Sequence, residues 1–159
     1  MSSLVVVLSG SPSDADWVAK IRKTLDELEV PNVWRVGSAH RVPEHVLTLL
    51  THYDNAPESV VFITVAGMSD ALSGLTAANV SSPVIACPPA ENAFGGLDVL
   101  SSLRTPPGVD PLTALHPTNA ALAAAKILAL QDPALKERIR ANQAARAKNV
   151  LDADSAQNS

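Results

Sequence analysis

The segment Ser38-Ala39-His40-Arg41 brings a hydroxyl, an imidazole and a guanidinium together within four residues. A neutral imidazole is a competent base near pH 7, and a guanidinium binds phosphate oxygens through paired hydrogen bonds. This combination is typical of proton transfer on a phosphorylated substrate. The segment follows a β-type run at residues 33–36, so we expect it on a loop at the end of a strand. Taken alone, it also fits a polar turn without function.

A second polar segment, residues 9–14, follows the first apolar run of the chain. Ser11 and Ser13 supply hydroxyls beside the free N–H groups of a helix start, for which Ser13 is the predicted N-cap. Such a loop can cradle a phosphate, although a capped helix with nothing bound fits equally well. Asp14 would repel a phosphate, so we expect it to bind a neutral group such as a ribose diol. The segment is neither a P-loop nor a G-x-G-x-x-G fingerprint, because the required lysine and glycines are missing.

A third segment, Ala66-Gly67-Met68-Ser69-Asp70, follows another apolar run. It resembles the nucleophile elbow G-x-S-x-G, in which Ser69 would be the nucleophile of a hydrolase. An aspartate (Asp98 or Asp110) and His116 would complete the triad in that interpretation. A hydrolase is disfavoured, because no oxyanion segment precedes the serine and the chain is short for that fold.

The remaining histidines and the thiol are weaker candidates. His45 and His52 lie seven residues apart on one predicted helix, without the cysteine or carboxylate ligands that a metal site needs. We therefore predict no metal site. Cys87 ends an apolar run before two prolines, which favours a packed and inert thiol.

The elements that must position these segments alternate regularly between strand and helix. Near-continuous apolar runs indicate strands buried on both faces, as in a parallel sheet. The predicted strands are residues 4–8, 33–36, 59–65, 83–87 and 112–115. The fold class is therefore α/β, a three-layer, flavodoxin-like (Rossmann-like) parallel five-stranded sheet with a C-terminal helical extension. In such a sheet ligands bind beyond the carboxyl ends of the strands, where the three polar segments would converge.

The predicted helices carry two further expectations. On the helix beginning at Pro43, the residues Val46, Leu47, Leu50 and Tyr53 are expected to face the sheet. Residues 119–130 are apolar almost all round, so this helix is either central or packed against another subunit. The last helix is expected to end near Leu151, with a frayed polar tail from about residue 152.

Composition excludes several classes of function. The 159 residues suffice for one domain, residues 1–159, with a sizeable core. The net charge is −4 with dispersed basic residues and few aromatic rings, so nucleic acid is not expected as a partner. No run approaches the roughly 18 apolar residues of a membrane span, and the start does not resemble a signal peptide. The single cysteine fits a reducing cytoplasm.

The three segments together resemble the family of aminoimidazole ribonucleotide (AIR) carboxylase and N-carboxy-AIR mutase of purine biosynthesis. Residues 9–14 resemble its G-S-x-S-D loop, and residues 38–41 its S-A-H-R/K signature. The similarity covers about residues 4–150, in order and spacing. It continues through Ala66-Gly67, Pro83-Val84-Ile85-Ala86-Cys87-Pro88-Pro89, Ser101-Ser102-Leu103-Arg104, Pro106-Pro107-Gly108 and Asn119-Ala120-Ala121-Leu122.

The third segment helps to distinguish the two branches of the family, the mutases and the carboxylases. The mutase branch reads like A-G-G-A-A-H-L-P-G, and Ala71 stands where its histidine would be. The carboxylase branch, which uses carbon dioxide directly, has an A-G-R-S-N-type loop, and Ser69 matches it. Met68 stands where that branch usually has arginine, Asp70 where it has asparagine, and Arg41 where lysine is commoner.

The resemblance implies a set of roles. Ser11, Ser38 and Arg41 would hold the phosphate of AIR, with Ser13 beside them, and Asp14 its ribose hydroxyls. Around the base would lie Ala66, Gly67, Ser69 and Leu72. His40 would take the proton that the ring carbon releases after attacking carbon dioxide. The family uses no cofactor and no metal, and it forms a homo-octamer with sites shared between subunits.

The expected function is therefore phosphoribosylaminoimidazole carboxylase, a cytoplasmic enzyme acting on AIR and CO2. The mutase acting on N-carboxy-AIR is the alternative within the family, as is a relative that carboxylates another nucleotide. A flavodoxin-like nucleotide-binding module without catalysis is the alternative from another class.

Overall fold

A computed structural model describes residues 2–90 and 92–157. One parallel sheet contains five strands in the order β2-β1-β3-β4-β5, which is the flavodoxin-like order predicted from the sequence. Their bounds are β1 (Ser3–Ser9), β2 (Asn32–Val36), β3 (Ser59–Val65), β4 (Val84–Ala86) and β5 (Leu112–Thr113). The chain leaves β1 for β2 on one side and returns to β3 on the other. The topological switch point therefore lies between β1 and β3.

Helices cover both faces of this sheet. Their bounds are α1 (Ala15–Glu27), α2 (Pro43–Asp54), α3 (Ala71–Ala77), α4 (Leu100–Leu103), α5 (Pro117–Leu128) and α6 (Pro133–Gln157). Residues of α1, α5 and α6 share one apolar cluster with the sheet, and residues of α2 and α3 share the other. None of the helices that the structure describes combines the length and the apolar character needed to cross a membrane.

Strand β1, which lies between β2 and β3, shows why the apolar runs are continuous. Val5 and Val7 of β1 pack in the cluster with α1 and α5, and Val6 and Leu8 pack in the cluster with α2 and α3. All four side chains are at most 1% exposed. Both faces of the strand are thus buried, which demands apolar residues at successive positions rather than at alternate ones.

Helix α5 is central, the first of the two arrangements expected for an apolar helix. Its small residues are fully buried against α1 and β3; they are Ala120, Ala121, Ala124 and Ala125. Alanine has a short side chain, so the helix can pack closely on the sheet. The apolar character of α5 is therefore explained within this chain, and a subunit contact is not needed to account for it.

Two details differ from the expectations. The buried residues of α2 are Val46, Leu49, Leu50 and Tyr53, and Leu47 is 37% exposed. The buried set follows the spacing i, i+3, i+4, i+7, which places position 47 on the outer side of the helix. Helix α6 continues past Leu151 to Gln157, so the described part of the expected tail is helical. Residues 158 and 159 lie outside the described residues.

Strands β1, β2 and β3 end at the same level. In the register of the sheet, Ser9 lies opposite both Val36 and Val65. The pairing continues into the loops, where Gly10 N–H donates to the Val65 carbonyl and Gly37 N–H donates to the Ser9 carbonyl, each at 2.9 Å. The loops that follow the three strands therefore start side by side.

The far end of α2 is joined to the start of β4 by a carboxylate. Asp54 accepts hydrogen bonds of 2.7–3.1 Å from the backbone N–H and the hydroxyl of both Ser81 and Ser82. Burial alone would raise the pKa of Asp54, but these bonds favour the charged form and together lower the pKa below its ordinary 3.8. An acid is otherwise unfavourable at a helix C-terminus, so this contact compensates for its position.

Asp54→Asn is expected to lower the free energy of unfolding by about 1–2 kcal/mol at pH 7, because the amide offers one acceptor oxygen in place of two. A group whose pKa is lowered in the folded state stabilises the protein above its unfolded pKa. That contribution is lost as the pH falls through the folded pKa. Urea unfolding of wild type and variant should therefore give a difference that is full above about pH 5 and shrinks below pH 4.

The matched control is Glu27→Gln, which neutralises an exposed acid on α1. It should change the free energy of unfolding by less than about 0.5 kcal/mol, both at pH 7 and at pH 3. An Asp54→Asn difference that stayed constant from pH 7 to pH 3 would contradict the role assigned to the carboxylate.

Candidate active site

A cavity of about 550 Å³ opens at the carboxyl ends of β1, β2 and β3. This size suits a small-molecule ligand. It is lined by every residue that the family resemblance predicts at the site: Ser11, Ser13, Asp14, Ser38, His40, Arg41, Ala66, Gly67, Ser69 and Leu72. The convergence follows from the level ends of the three strands.

The first loop is closed by its own side chains. The hydroxyl of Ser11 accepts the Ser13 N–H at 3.2 Å, and the carboxylate of Asp14 accepts the Ser11 N–H at 3.1 Å. The expectation that Ser13 is the N-cap is therefore wrong. A short 3₁₀ turn, Pro12–Asp14, precedes α1, and its N-cap is Ser11. The hydroxyls of Ser11 and Ser13 lie 2.7 Å apart and line the cavity.

Trp34 anchors this loop to the strand beneath it, and Trp17 anchors the helix that follows the loop. Trp34 of β2 donates from Nε1 to the hydroxyl of Ser9 at 2.9 Å, and that hydroxyl donates to the Ser11 carbonyl at 3.0 Å. Trp17 of α1 donates from Nε1 to the Cys87 carbonyl at 3.1 Å. The backbone of the first loop is therefore tied to the neighbouring strand.

The second loop is a compact turn. The hydroxyl of Ser38 accepts the Arg41 N–H at 3.3 Å, and the Ser38 carbonyl accepts the Val42 N–H at 2.9 Å. His40 and Arg41 are exposed in this turn and both line the cavity. The approach to α2 is close, since a Cβ on Gly37 would lie 2.9 Å from Cγ2 of Val46. Glycine is therefore required where the strand enters the turn.

The third loop contributes an apolar wall. Met68 adopts a left-handed backbone with φ +59° and is 74% exposed at the cavity. Asp70 points the other way and is 7% exposed. Its carboxylate accepts the Ser73 N–H at 3.0 Å as the N-cap of α3, and the hydroxyl of Ser102 at 2.7 Å. Asp70 therefore adds no anion to the lining of the cavity.

Among residues 2–90 and 92–157, few ionisable groups line this cavity. They are the guanidinium of Arg41, the imidazole of His40 and the carboxylate of Asp14, of which the last accepts a hydrogen bond from its own loop. A single fixed cation next to clustered hydroxyls and helix-start N–H groups can hold a phosphate. The arrangement can also present an imidazole to a ligand bound there.

The family model described as AIR carboxylase matches residues 4–149 of this chain. The chain belongs to the AIR carboxylase family. It is 46% identical over 149 residues to phosphoribosylaminoimidazole carboxylase of Archaeoglobus fulgidus, covering 94% of this chain and 82% of that protein. To the protein of the same name from Treponema denticola it is 39% identical, covering 98% of each.

A solved structure supports the same family assignment. The crystal structure of Treponema denticola PurE superposes with a TM-score of 0.94 at 38% identity, covering 96% of this chain and 97% of that chain. The chain also matches a third of the rat bifunctional phosphoribosylaminoimidazole carboxylase/phosphoribosylaminoimidazole succinocarboxamide synthetase, at 38% identity. The flavodoxin-like fold predicted for an AIR carboxylase family member is thereby confirmed.

Three lining residues were absent from the predicted site: Gly10, Ala39 and Met68. Gly10 and Ala39 lie inside the family motifs, so their proximity to a ligand could have been inferred from those motifs. Met68 lies inside the third-loop motif, so its proximity could have been inferred in the same way, but its left-handed backbone is not readable from the residue type.

Other candidates lie apart from this cavity. His116 and the aspartates Asp98 and Asp110 are not among the lining residues, so the structure provides no support for a hydrolase triad around Ser69. His45 and His52 are exposed on α2. Burial raises the pKa of the Cys87 thiol to about 11, while a hydrogen bond from Trp17 lowers it slightly. The thiol is therefore uncharged near pH 7 and a poor nucleophile, as predicted.

Proposed function

We propose that this chain is an AIR carboxylase that joins carbon dioxide directly to the ring carbon of AIR. One observation carries the proposal: the groups needed for phosphate binding, ribose binding and proton transfer line a single cavity at the switch point of an AIR carboxylase family fold. The residues of these groups lie on the loops after β1 and β2, at the carboxyl ends of the strands, as in other open α/β sheets that bind nucleotides.

The phosphate of AIR is bound where the first two loops meet. Arg41 supplies the fixed positive charge, and Ser11, Ser13 and Ser38 supply hydroxyls. The Ser11 and Ser13 hydroxyls lie 2.7 Å apart, so one phosphate can contact both. Asp14 is set back in the same loop, where its carboxylate can accept a ribose hydroxyl.

The base of AIR lies against the third loop. Leu72 is 2% exposed and presents its side chain to the cavity beside Ala66 and Gly67, with Ser69 at the rim. An apolar wall holds the flat ring by contact area, and its small residues allow close approach. His40 belongs to the neighbouring loop and faces the same space.

AIR is itself the nucleophile of the reaction. Its enamine-like ring carbon donates an electron pair to the carbon of carbon dioxide, forming a carbon–carbon bond and becoming tetrahedral, with its own hydrogen beside the new carboxylate. The imidazole of His40 removes this proton, and the ring electrons return to aromaticity. The reverse reaction begins when the imidazolium returns the proton. Because the substrate supplies the electron pair, the proposal includes no cofactor and no metal.

The third loop favours the carboxylase over the mutase. Ala71 stands where the mutase branch has a histidine, and the cavity wall formed by Met68 and Leu72 is apolar. Asp70, the acid that departs from the usual carboxylase pattern, is directed away from the cavity by Ser73 and Ser102. A neutral, apolar substrate such as carbon dioxide is compatible with this wall. The wall offers no positive charge to pair with the carboxylate of N-carboxy-AIR.

The rest of the proposal concerns the assembly. The chain acts as a single domain over residues 1–159, as a cytoplasmic homo-octamer with sites shared between subunits, and without nucleic acid as a partner. The helices at the C-terminal end are the elements available for contact with a neighbour, since α6 is mostly exposed beyond Ile139.

The proposal is tested with purified protein and two substrates. AIR with bicarbonate, the source of carbon dioxide, should be converted to carboxyaminoimidazole ribonucleotide. N-carboxy-AIR without bicarbonate should not be converted faster than it decays to AIR. Turnover of N-carboxy-AIR alone would overturn the choice of branch. Turnover of neither substrate would overturn the enzyme function and favour a nucleotide-binding module.

His40→Asn should lower kcat by about 10²–10⁴-fold, because general-base catalysis contributes on that scale. Binding of AIR, measured by calorimetry, should change little, since an amide fills similar space without accepting the proton. His52→Asn is the matched control, an exposed histidine on α2 outside the cavity, and should keep wild-type kcat. Substantial turnover by the His40 variant would show that another group moves the proton.

Arg41→Ala should weaken binding of the phosphorylated substrate by roughly tenfold to a hundredfold, the size of a charge-assisted hydrogen bond of about 1.5–3 kcal/mol. The loss should appear in KM more than in kcat. Lys23→Ala removes the same charge from the exposed surface of α1 and controls for net charge. Equal KM values for the two variants would exclude Arg41 as the phosphate ligand.

A further inference from the structure

The third loop is held in place by residues that do not line the cavity. Helix α4 lies behind it, and two consecutive serines of that helix contact the loop. The hydroxyl of Ser102 donates to Asp70 Oδ2 at 2.7 Å, while Ser73 N–H donates to Asp70 Oδ1 at 3.0 Å. Both oxygens of the Asp70 carboxylate are thus used to connect α3 to α4.

This carboxylate has little else to compensate its burial. Asp70 is 7% exposed and Ser102 is 2% exposed, and none of the ion pairs recorded among residues 2–90 and 92–157 includes Asp70. A buried charge without a cation depends on the hydrogen bonds that it receives. The Ser102 carbonyl accepts the hydroxyl of Thr113 at 3.1 Å, which ties the same unit to β5. The Asp70 carboxylate is therefore held by Ser73 and Ser102, and Ser102 is itself held by Thr113.

The neighbouring serine makes a second connection. The Ser101 hydroxyl accepts the Asp70 N–H at 3.0 Å and lies 3.0 Å from the Met68 carbonyl and 2.8 Å from the Asp98 carbonyl. It has one proton, so it donates to either carbonyl or shares the proton between them. Met68 has φ +59°, an uncommon conformation for a residue with a side chain, which needs such support from its surroundings.

We propose that Asp70 and Ser102 are positioning residues that hold the wall of Gly67, Met68 and Ser69 against the base of the bound nucleotide. The inference rests on the function proposed above. Neither residue lines the cavity, so neither touches the reacting atoms. They act through the backbone between Met68 and Ala71, which the two serines and the α3 cap hold at both ends.

Three variants should differ in activity, because each changes the hydrogen bonds between residues 70 and 102 in a different way. Ser102→Ala leaves one carboxylate oxygen buried without its donor, so the loop must move to rehydrate it. Asp70→Asn keeps both contacts, because the amide oxygen accepts the Ser73 N–H and the amide nitrogen donates to the Ser102 hydroxyl. The double variant Asp70→Asn/Ser102→Ala leaves a neutral group rather than a charge without a partner, which costs less. The loss of kcat/KM should be largest for Ser102→Ala, smaller for the double variant and smallest for Asp70→Asn.

The kinetic test uses AIR with bicarbonate at a temperature where urea unfolding shows each variant to be folded. Ser102→Ala should lower kcat/KM by roughly tenfold to a hundredfold. Asp70→Asn should stay within about threefold of wild type, and the double variant should recover part of the loss. Binding of ribose 5-phosphate, which probes the first and second loops alone, should stay within about twofold for all three.

Ser82→Ala is the matched control. Its hydroxyl also donates to a carboxylate at 2.7 Å, that of Asp54, but at the opposite end of α2 from the cavity. It should lower the free energy of unfolding and leave kcat/KM for AIR unchanged. Equal kcat/KM losses in Ser82→Ala and Ser102→Ala would overturn the proposal, because the effect would then follow stability rather than position.

A second measurement does not depend on activity. Hydrogen exchange of the amides of Asp70 and Ser73 should accelerate in Ser102→Ala and not in Asp70→Asn, while amides of residues 9–14 and 37–42 keep wild-type rates. If wild type converts no AIR, the proposed function fails, and unchanged exchange in Ser102→Ala would separately overturn the positioning role. If Ser102→Ala does not fold, the comparison between Asp70→Asn and the double variant replaces it in both measurements.

Discussion

The level ends of β1, β2 and β3 are the constraint on which the site depends. Parallel pairing sets Ser9 opposite both Val36 and Val65, and the sheet bonding continues through Gly10 and Gly37. A slip of β1 by one residue would exchange its side chains between the two apolar clusters, whose spaces they would no longer fit, at a cost in packing. The packing of the core thus fixes where the three loops start, and with them the positions of the side chains that line the cavity.

Much of this arrangement could be predicted because it rests on local patterns. Continuous apolar runs such as residues 4–8 indicate doubly buried strands, and their alternation with helices indicates parallel pairing. The convergence of the three loops then follows from topology, and His40 and Arg41 line the cavity as that topology requires. Residue type and order were sufficient for these features.

Other features escaped prediction because they depend on details that residue type does not encode. Ser11 rather than Ser13 caps the first turn, since a 3₁₀ turn intervenes before α1 and shifts the cap. The direction of the Asp70 side chain depends on Ser102, which lies 32 positions further along the chain. A long-range partner of this kind becomes visible only when the chain is folded.

The three loops differ in what keeps them in shape, and this difference matters for function. Ser11 and Asp14 cap the first loop and Ser38 caps the second, all within three residues of their partners, and Trp34 of β2 also holds the first loop through Ser9. The third loop depends instead on side chains of α4, which reaches it through a segment with left-handed residues at Phe94, Gly95 and Gly96. Changes in residues 92–103 can therefore alter the third loop while the first and second loops stay intact.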